Sequence, residues 1–479
     1  MEHLTNSFHL LLNSFQNVFT QPSLQIFLTL MTGWIASVRP RYVTELIYGG
    51  DQVGVGHWSR FHRFFSHYAW SLDDLCLVLT RLLLAAFVPQ GTVVLALDDT
   101  LCRKRGLKLF GAGMHHDPLM SSKAVKLVSW GHNWVILCLI VRLPFWAPTK
   151  IFALPIGFRL YRNRQGNNKG KKKKDIDTRS RATQGKAKKT AKKRARTAPK
   201  NKHRADGSLH QTRPELGLEL ICWLAAAFPE RTFLVTADSL YGGKSVLSKL
   251  PANVHLISRV HPGGVLYAPA PQPVPGQPGR KRKKGERLSS MPEWADDAST
   301  WTHLKFDQYG LHADLSVKTR QGLYYKAGKD RLLSFVLVRD NSGKRPLSIF
   351  YSTLLDWTAK EILAAYASRW SIEVTFENGK QLLGFDDPAN RLPKAVQRTA
   401  PMAMVLVSLT TLWFHQNGHR HVRFPKRPWY TKKKEPSFAD MLTTLRRLSW
   451  TELWQGSVTK RGVSKTLLAK MTEFLSRAG

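Results

Sequence analysis

With 479 residues, 43% of them hydrophobic, the chain is long enough for two or three domains of about 150 residues each, or for one large core with insertions. It carries 73 Lys and Arg against 33 acids, a formal net charge of +40. A compact body so charged repels itself unless a polyanion neutralises it, and a nucleic-acid backbone is the commonest such polyanion. An anionic membrane is the competing partner, and the apolar stretches argue against it. Leu24 to Val38 and Met402 to Phe414 are too short to span a bilayer comfortably, and Val128 to Trp146 is interrupted by His132, Asn133 and Arg142. The first ten residues hold no basic region followed by an apolar run, so no secretory leader is expected. Cys76, Cys102, Cys138 and Cys222 are scattered, with no Cys-x-x-Cys pair. They read as buried thiols of a reducing, cytoplasmic compartment, not as zinc ligands or a disulfide framework.

In chain order, residues 1–88 read as a helical N-terminal region for DNA binding or dimerisation. Apolar positions recur at helical spacing through Ser23 to Ala36, Val43 to Ile47 and Leu72 to Phe87, punctuated by Pro40, Gly49, Gly50, Gly54 and Gly56. His57 to His67 sets Arg60 and Arg63 among aromatics on a short helix. It serves equally as a DNA-reading helix or as a packing helix with solvated cations.

A strand-rich core follows over 89–260. Thr92 to Leu97 reads as a strand ending in Asp98-Asp99-Thr100, Trp134 to Leu143 as a second, Thr232 to Ala237 as a third ending at Asp238, and Val254 to Arg259 as a fourth. Helices are expected over Pro214 to Phe228 and Gly242 to Leu250. Strands alternating with helices predict an α/β fold with a mixed sheet. Residues 159–204 interrupt it with 20 Lys or Arg against Asp175 and Asp177, a net +18. Having few apolar residues, this insertion is expected to be disordered when free. The rest of the chain still carries +22, so its basic character does not come from the insertion alone.

Residues 261–357 open with a Pro-rich linker (Pro269, Pro271, Pro273, Pro275, Pro278) and continue as an antiparallel β insertion with strands near 302–306, 315–319, 332–338 and 346–351. Residues 358–415 return to the core. Thr358 followed by Glu361 marks the cap of a long helix that Gly384 ends, and an apolar helix runs from Ala395 to Phe414. Residues 416–479 are basic and helical.

Asp98 and Asp238 each close a strand, where a carboxylate is held rigidly at the crevice beyond the sheet. A strand-end Asp is also a common turn former. The long helix is more specific. Tyr366, Arg369, Glu373 and Lys380 fall within roughly 60° of one line at about 100° per residue. Flanking Leu363, Trp370 and Val374 on one side, and Ile372, Phe376 and Leu383 on the other, are expected to bury this helix on the core. The bland alternative is an Arg369–Glu373 pair on a solvated helix. Three carboxylates from two strands and a helix suit two hard divalent cations, and such a pair serves in-line attack on a phosphodiester. Geometry alone leaves Glu377 open beside Glu373, and Asp99 open beside Asp98, although strand alternation turns Asp99 the other way.

The spacing of Tyr366, Arg369, Glu373 and Lys380 matches the Y-x2-R-x3-E-x6-K signature, and the chain resembles the bacterial insertion-sequence transposases of the DDE type that carry it. LALDDT at 95–100 and TADSLYGG at 236–243 resemble that group too, and the resemblance spans roughly residues 90–415. It implies a ribonuclease-H-like core with a helical N-terminal domain and a β insertion, and Asp98, Asp238 and Glu373 as catalytic metal ligands for Mg²⁺ or Mn²⁺. It implies Tyr366, Arg369 and Lys380 as contacts to double-stranded DNA at inverted-repeat ends, and a homodimeric synaptic complex near the bacterial nucleoid. Trp294 and Trp301 become candidates to stack on a flipped base, against the commoner fate of core packing. The alternatives are a domesticated relative that binds DNA without cutting, and a nuclease of the same core acting on other nucleic acids.

The insertion is not part of the family pattern, and its charge reads as a non-specific DNA tether. Deleting residues 165–202 is expected to flatten the dependence of log K for DNA on log salt, because each phosphate contact contributes about 0.9 to that slope. An unchanged slope measured by fluorescence anisotropy across a salt series would remove the tether role.

Overall fold

The computed structural model describes residues 4–458 except 38–39, 51–55, 123, 143, 165–203, 205–206, 262, 273–280, 309–310, 426–427 and 429–430, together with 468–469, 471–472 and 475. Most of the Lys-rich insertion and the middle of the Pro-rich linker thus lie outside the described residues.

Five helices come first: α1 (Asn6–Asn13), α2 (Gln21–Ala36), α3 (Val43–Gly49), α4 (Ser59–Ser66) and α5 (Leu72–Phe87). Ser71 caps α5 by accepting the Asp74 N–H, and the apolar face Leu75, Cys76, Leu79, Leu83 and Leu84 is buried, the spacing expected of an amphipathic helix. Strands and helices then alternate: β1 (Val93–Arg103), β2 (Gly113–His116), β3 (Val128–Arg142), β4 (Ile151–Tyr161), α6 (Arg213–Ala227), β5 (Phe233–Ala237), α7 (Lys244–Leu247) and β6 (Val254–Arg259). Next are α8 (Met291–Asp296), β7 (Thr302–Gln308), β8 (Leu311–Leu323), α9 (Tyr325–Gly328), β9 (Leu332–Asp340) and β10 (Ser348–Ser352). The chain returns through α10 (Ala359–Ser368), α11 (Ser371–Leu383), α12 (Pro393–Gln416) and α13 (Phe438–Val458).

The ten strands described form one mixed sheet, in the order β2-β3-β1-β5-β6-β10-β9-β8-β7, with β4 also on the β2 side of β3. β1 is antiparallel to β3 and parallel to β5, which is parallel to β6. This arrangement, flanked by helices and preceded by a helical region, is consistent with a ribonuclease-H-like fold. The β insertion is antiparallel as expected, and it extends the core sheet, because β10 pairs with β6 on one side and β9 on the other.

Three sequence expectations are corrected. β1 does not end at Asp98. It runs on to Arg103 because β3 stays paired beside it from Leu95↔Leu139 to Arg103↔Gly131. β4, which the pattern left unassigned, carries Pro155 and Gly157, two residues that ordinarily argue against a strand. A register shift at Leu137/Cys138 accommodates them, and Ser408 of α12 donates to the Pro155 carbonyl. β4 also runs into the stretch read as disordered, so Arg159 is ordered, with Asp73 of α5 and Glu219 of α6 as its partners.

The core sits between the sheet and α12, whose residues from Thr399 to Phe414 are all buried. Cys76, Cys102 and Cys138 are buried and Cys222 is half-buried, all as free thiols. No described helix is long and apolar enough to cross a membrane.

The N-terminal helices pack closely at Gly33 of α2, where a Cβ would lie 1.9 Å from the Leu46 carbonyl oxygen of α3. A backbone atom cannot swing away as a side-chain tip can. Gly33→Ala is therefore expected to cost on the order of 2 kcal/mol, read as a lowered midpoint in thermal unfolding. An unchanged midpoint would mean that α3 shifts freely.

Candidate active site

β1 and β5 run parallel in register up to Leu97↔Ala237. The next residues are Asp98 and Asp238, and there β5 stops while β1 continues against β3. The two carboxylates therefore stand on one face where a parallel partner ends, the usual place for a site in an open α/β sheet. Asp238 is fixed by the backbone that follows it: the Leu240 N–H donates to its Oδ1 at 2.9 Å, and its carbonyl accepts from Tyr241 and Ser258. Asp98 accepts from the Asp99 N–H at 2.8 Å through Oδ1 and from Arg369 Nη1 through Oδ2.

Arg369 lies between α10 and α11. The expected single helix from Thr358 to Leu383 has its Thr358–Glu361 capping box and its left-handed Gly384 end, but it breaks at Arg369-Trp370. There the amides of Arg369, Trp370, Ile372 and Glu373 each bond three residues back, and the hydroxyls of Ser368 and Ser371 also take carbonyls three residues back. Serine competing for backbone partners tightens the turn, and a 3₁₀ turn advances by about 120° per residue instead of 100°. The helix face consequently shifts. Trp370 and Val374, expected to be buried flanks, are 56% and 48% exposed. Among the described residues Trp370 is an exposed large aromatic next in sequence to Arg369, and sequence reasoning missed its exposure because the tightened turn shifts the helix phase.

All three expected acids act on the one guanidinium. Arg369 bonds Asp98, reaches Glu373 Oε1 from Nη2 at 3.8 Å, and feels Asp238 electrostatically. Burial pushes the Asp98 carboxyl up to about 7; Arg369 opposes that shift and the neighbouring Asp238 and Asp99 charges add to it. Burial raises Asp238 and Glu373 as well, again against Arg369. Tyr366 stacks edge-on against Phe350 with its ring beneath Arg369, and burial raises its phenol. Glu377 is exposed and accepts only from Gln381 among its described bonds, away from the cluster. Lys380, expected at a DNA phosphate, donates to Thr100 Oγ1 and the Leu101 carbonyl, both at 2.8 Å. It braces the far end of β1.

The remaining candidates lie apart. Trp294 is 3% exposed, with Arg320 3.8 Å above its ring, and is thus spent in packing. Trp301 is half-buried between Lys318 and Arg339. On α4, Phe61, Phe64 and Phe65 face the core; Arg63 is exposed, and Arg60 lies half-buried over the Phe61 ring. Trp58, 59% exposed and stacked on His57, stands before that helix.

Among the described residues no three His, Cys, Asp or Glu side chains are grouped as a ready metal centre. The chemistry of the donors nonetheless fits a hard cation. Three half-buried carboxylates surround a single guanidinium, and burial shifts each toward holding a proton against it.

The profile of a family described as DDE superfamily endonuclease matches residues 53–323, more than half of the chain. The matched span includes Asp98 and Asp238 and ends before Glu373. No curated protein matches the chain.

The Asp98–Arg369 pair is mostly buried on both sides, at 17% and 13% side-chain exposure. In metal-free buffer Arg369→Ala is expected to cost about 3 kcal/mol, the order seen when one partner of a buried pair is removed. Adding Asp98→Asn should recover much of that loss, because no charge is then left without a partner. A double variant no more stable than Arg369→Ala in thermal or urea unfolding would show that the pair contributes no coupling.

Proposed function

Because the chain belongs to the DDE superfamily endonucleases, we propose that it is a transposase that cleaves and joins DNA strands at the inverted-repeat ends of an insertion sequence, with Asp98, Asp238 and Glu373 as its catalytic acids. The observation that carries this reading is the convergence of those three carboxylates on Arg369. Asp98, Asp238 and Glu373 would hold Mg²⁺ or Mn²⁺ through their oxygens, and the bound cation would activate a water or 3′-hydroxyl and offset charge on the leaving oxygen.

The chain's own residues set the conditions for that chemistry. Asp98 and Asp238 are rigid because strand pairing and the Leu240 N–H fix them. Arg369 offsets part of the cost of ionising Asp98 in a buried place and stands within reach of a phosphate entering beside it; Tyr366 holds the guanidinium from below. Exposed Trp370 offers a flat apolar surface next to the reacting strand, of the kind on which bases stack. Lys380 keeps β1 straight past Asp98.

Double-stranded DNA is the partner this reading requires. The +22 carried outside the Lys-rich insertion supports it, as does α4 with Arg63 outward. A homodimer holding two ends together completes the proposal and rests on the resemblance to insertion-sequence enzymes.

The test uses purified protein, Mg²⁺ and a duplex bearing the inverted repeat that flanks the gene. Wild type is expected to nick at the repeat boundary. Asp98→Ala, Asp238→Ala and Glu373→Ala are each expected to bind the duplex with near-normal affinity and to cut at least about 10³-fold more slowly, since residues that act as a unit fail together. Folded wild type that binds the ends and cuts in neither Mg²⁺ nor Mn²⁺ would sink the enzyme reading and leave a DNA-binding relative. Normal cutting by Glu373→Ala would move the third role elsewhere.

A further inference from the structure

A fourth carboxylate, Asp99, lies next to the three acids, and the proposed chemistry gives it no task. Its side chain is 12% exposed and is fully engaged. Tyr241 Oη donates to Oδ1 at 3.0 Å; Arg213 Nη1 and Asn133 Nδ2 donate to Oδ2 at 2.7 and 3.0 Å. The donors come from three places: the loop after β5, the first turn of α6, and β3. Strand alternation turns Asp99 to the face opposite Asp98, where Asn133, two residues along β3 from its register partner Val135, also points. A carboxylate with three strong donors already in place has little capacity left for a cation.

Asp99 is nonetheless tied to both neighbouring acids. Its amide holds Asp98 Oδ1. Its side chain holds Tyr241, whose own N–H lies against the Asp238 carbonyl and Oδ1 at 3.2 and 3.4 Å. Tyr241 has no slack: it is fully buried, and a Cβ at Gly217 of α6 would come within 2.9 Å of its ring. Burial and the adjacent Asp99 charge hold the phenol well above its ordinary range, so it remains a donor.

We infer that Asp99 is a positioning residue, which sets Asp238 against Asp98 by clamping Tyr241 and touches neither metal nor DNA itself. The inference rests on the reading of Asp98 and Asp238 as metal ligands. It separates the two halves of the Asp-Asp pair: Asp98 faces the chemistry, and Asp99 fixes the loop that carries the second acid. A simple stabilising ion pair with Arg213 is the competing role, and it makes no demand on Tyr241.

The experiment titrates Mn²⁺ into full-length wild type, Asp99→Asn, Tyr241→Phe and the double variant, following free Mn²⁺ by electron paramagnetic resonance. Asp98→Ala serves as reference, and melting temperature and cleavage of the repeat duplex are measured alongside. Asp99→Asn and Tyr241→Phe are each expected to weaken Mn²⁺ binding about tenfold, and the double variant about tenfold as well, because both cut one mechanical link. Asp98→Ala is expected to abolish binding. The inference falls if the two single effects multiply to about a hundredfold in the double variant, as independent sites would. It falls if Asp99→Asn abolishes Mn²⁺ binding as Asp98→Ala does, which would make Asp99 a ligand. Should Asp99→Asn fail to fold, Tyr241→Phe decides alone: Mn²⁺ affinity equal to wild type overturns the inference. Wild type that neither binds Mn²⁺ nor cuts would remove the transposase reading and this inference together. Wild type that does both, beside an unaffected Tyr241→Phe, removes only the inference.

Discussion

Carboxylates held together where the parallel pairing of two strands stops repel one another and resist ionisation, and the Arg369 guanidinium is the local answer to both problems. Each acid alone would be costly: a buried charge without a partner is among the most destabilising features a fold can carry. Arg369 reaches Asp98 with one amino group and points the other toward Glu373. It can do so only because the helix breaks where it does. Were α10 and α11 one continuous α-helix, the residues after Arg369 would sit at a different angle about the axis. The two serines that take backbone carbonyls at this point are therefore part of the site.

Much of the remaining structure holds the C-terminal end of α11 in place. The loop after α11 is gripped from two directions. From the N-terminal helices, the Trp34 indole donates to the Leu383 carbonyl, and Arg41, wholly buried, bonds the Leu382 carbonyl through its guanidinium and the Asp387 carboxylate through its amide. From β1, Lys104 donates to the carbonyls of Asp386 and Pro388, while Lys380 donates back to Thr100 and Leu101. The helical N-terminal region is thus more than an appended module: its side chains fix the C-terminal end of the helix that bears Glu373. Two lysines that look in the sequence like solvent-facing cations available to a polyanion act instead as struts.

Such struts mark the boundary of what the sequence makes legible. Elements with one clear period were readable. α5 and β6 have the bounds their patterns imply, and the ordering of strands and helices led to the mixed sheet. Asp98, Asp238 and Glu373 stand out in the sequence by their places after apolar runs and on a helix face. What could not be read depends on long-range partners. β4 holds a Pro and a Gly that only a register shift beside β3 makes tolerable. β1 continues past Asp98 only because β3 lies beside it. Trp370 and Val374 follow helical spacing to the core, but the 3₁₀ turn before them breaks that phase. Asp99 could be told from Asp98 by alternation, yet its partners Arg213 and Tyr241 lie 114 and 142 residues away and no local pattern marks them.

The same arrangement bears on how a strongly basic protein keeps an acidic cluster on its sheet. Basic charge outside the Lys-rich insertion draws a polyanion to the surface generally, and electrostatic attraction of that kind acts over roughly a Debye length, about 8–10 Å at ordinary salt. At the three acids the balance reverses locally. Asp99 is neutralised by Arg213, but Asp98, Asp238 and Glu373 share one guanidinium and retain a negative surplus. A phosphate brought close by the basic surface meets that surplus at the place where it would have to react. On the proposed function, the surplus is what a divalent cation removes, so the same three carboxylates that hold the cation also exclude the backbone until it is there. Selectivity for a hard cation and exclusion of unproductive phosphate contact are then one electrostatic property of the site. It depends on the acids outnumbering the arginine, which the Asp99–Arg213 pair ensures by keeping the second nearby guanidinium engaged on the opposite face of β1.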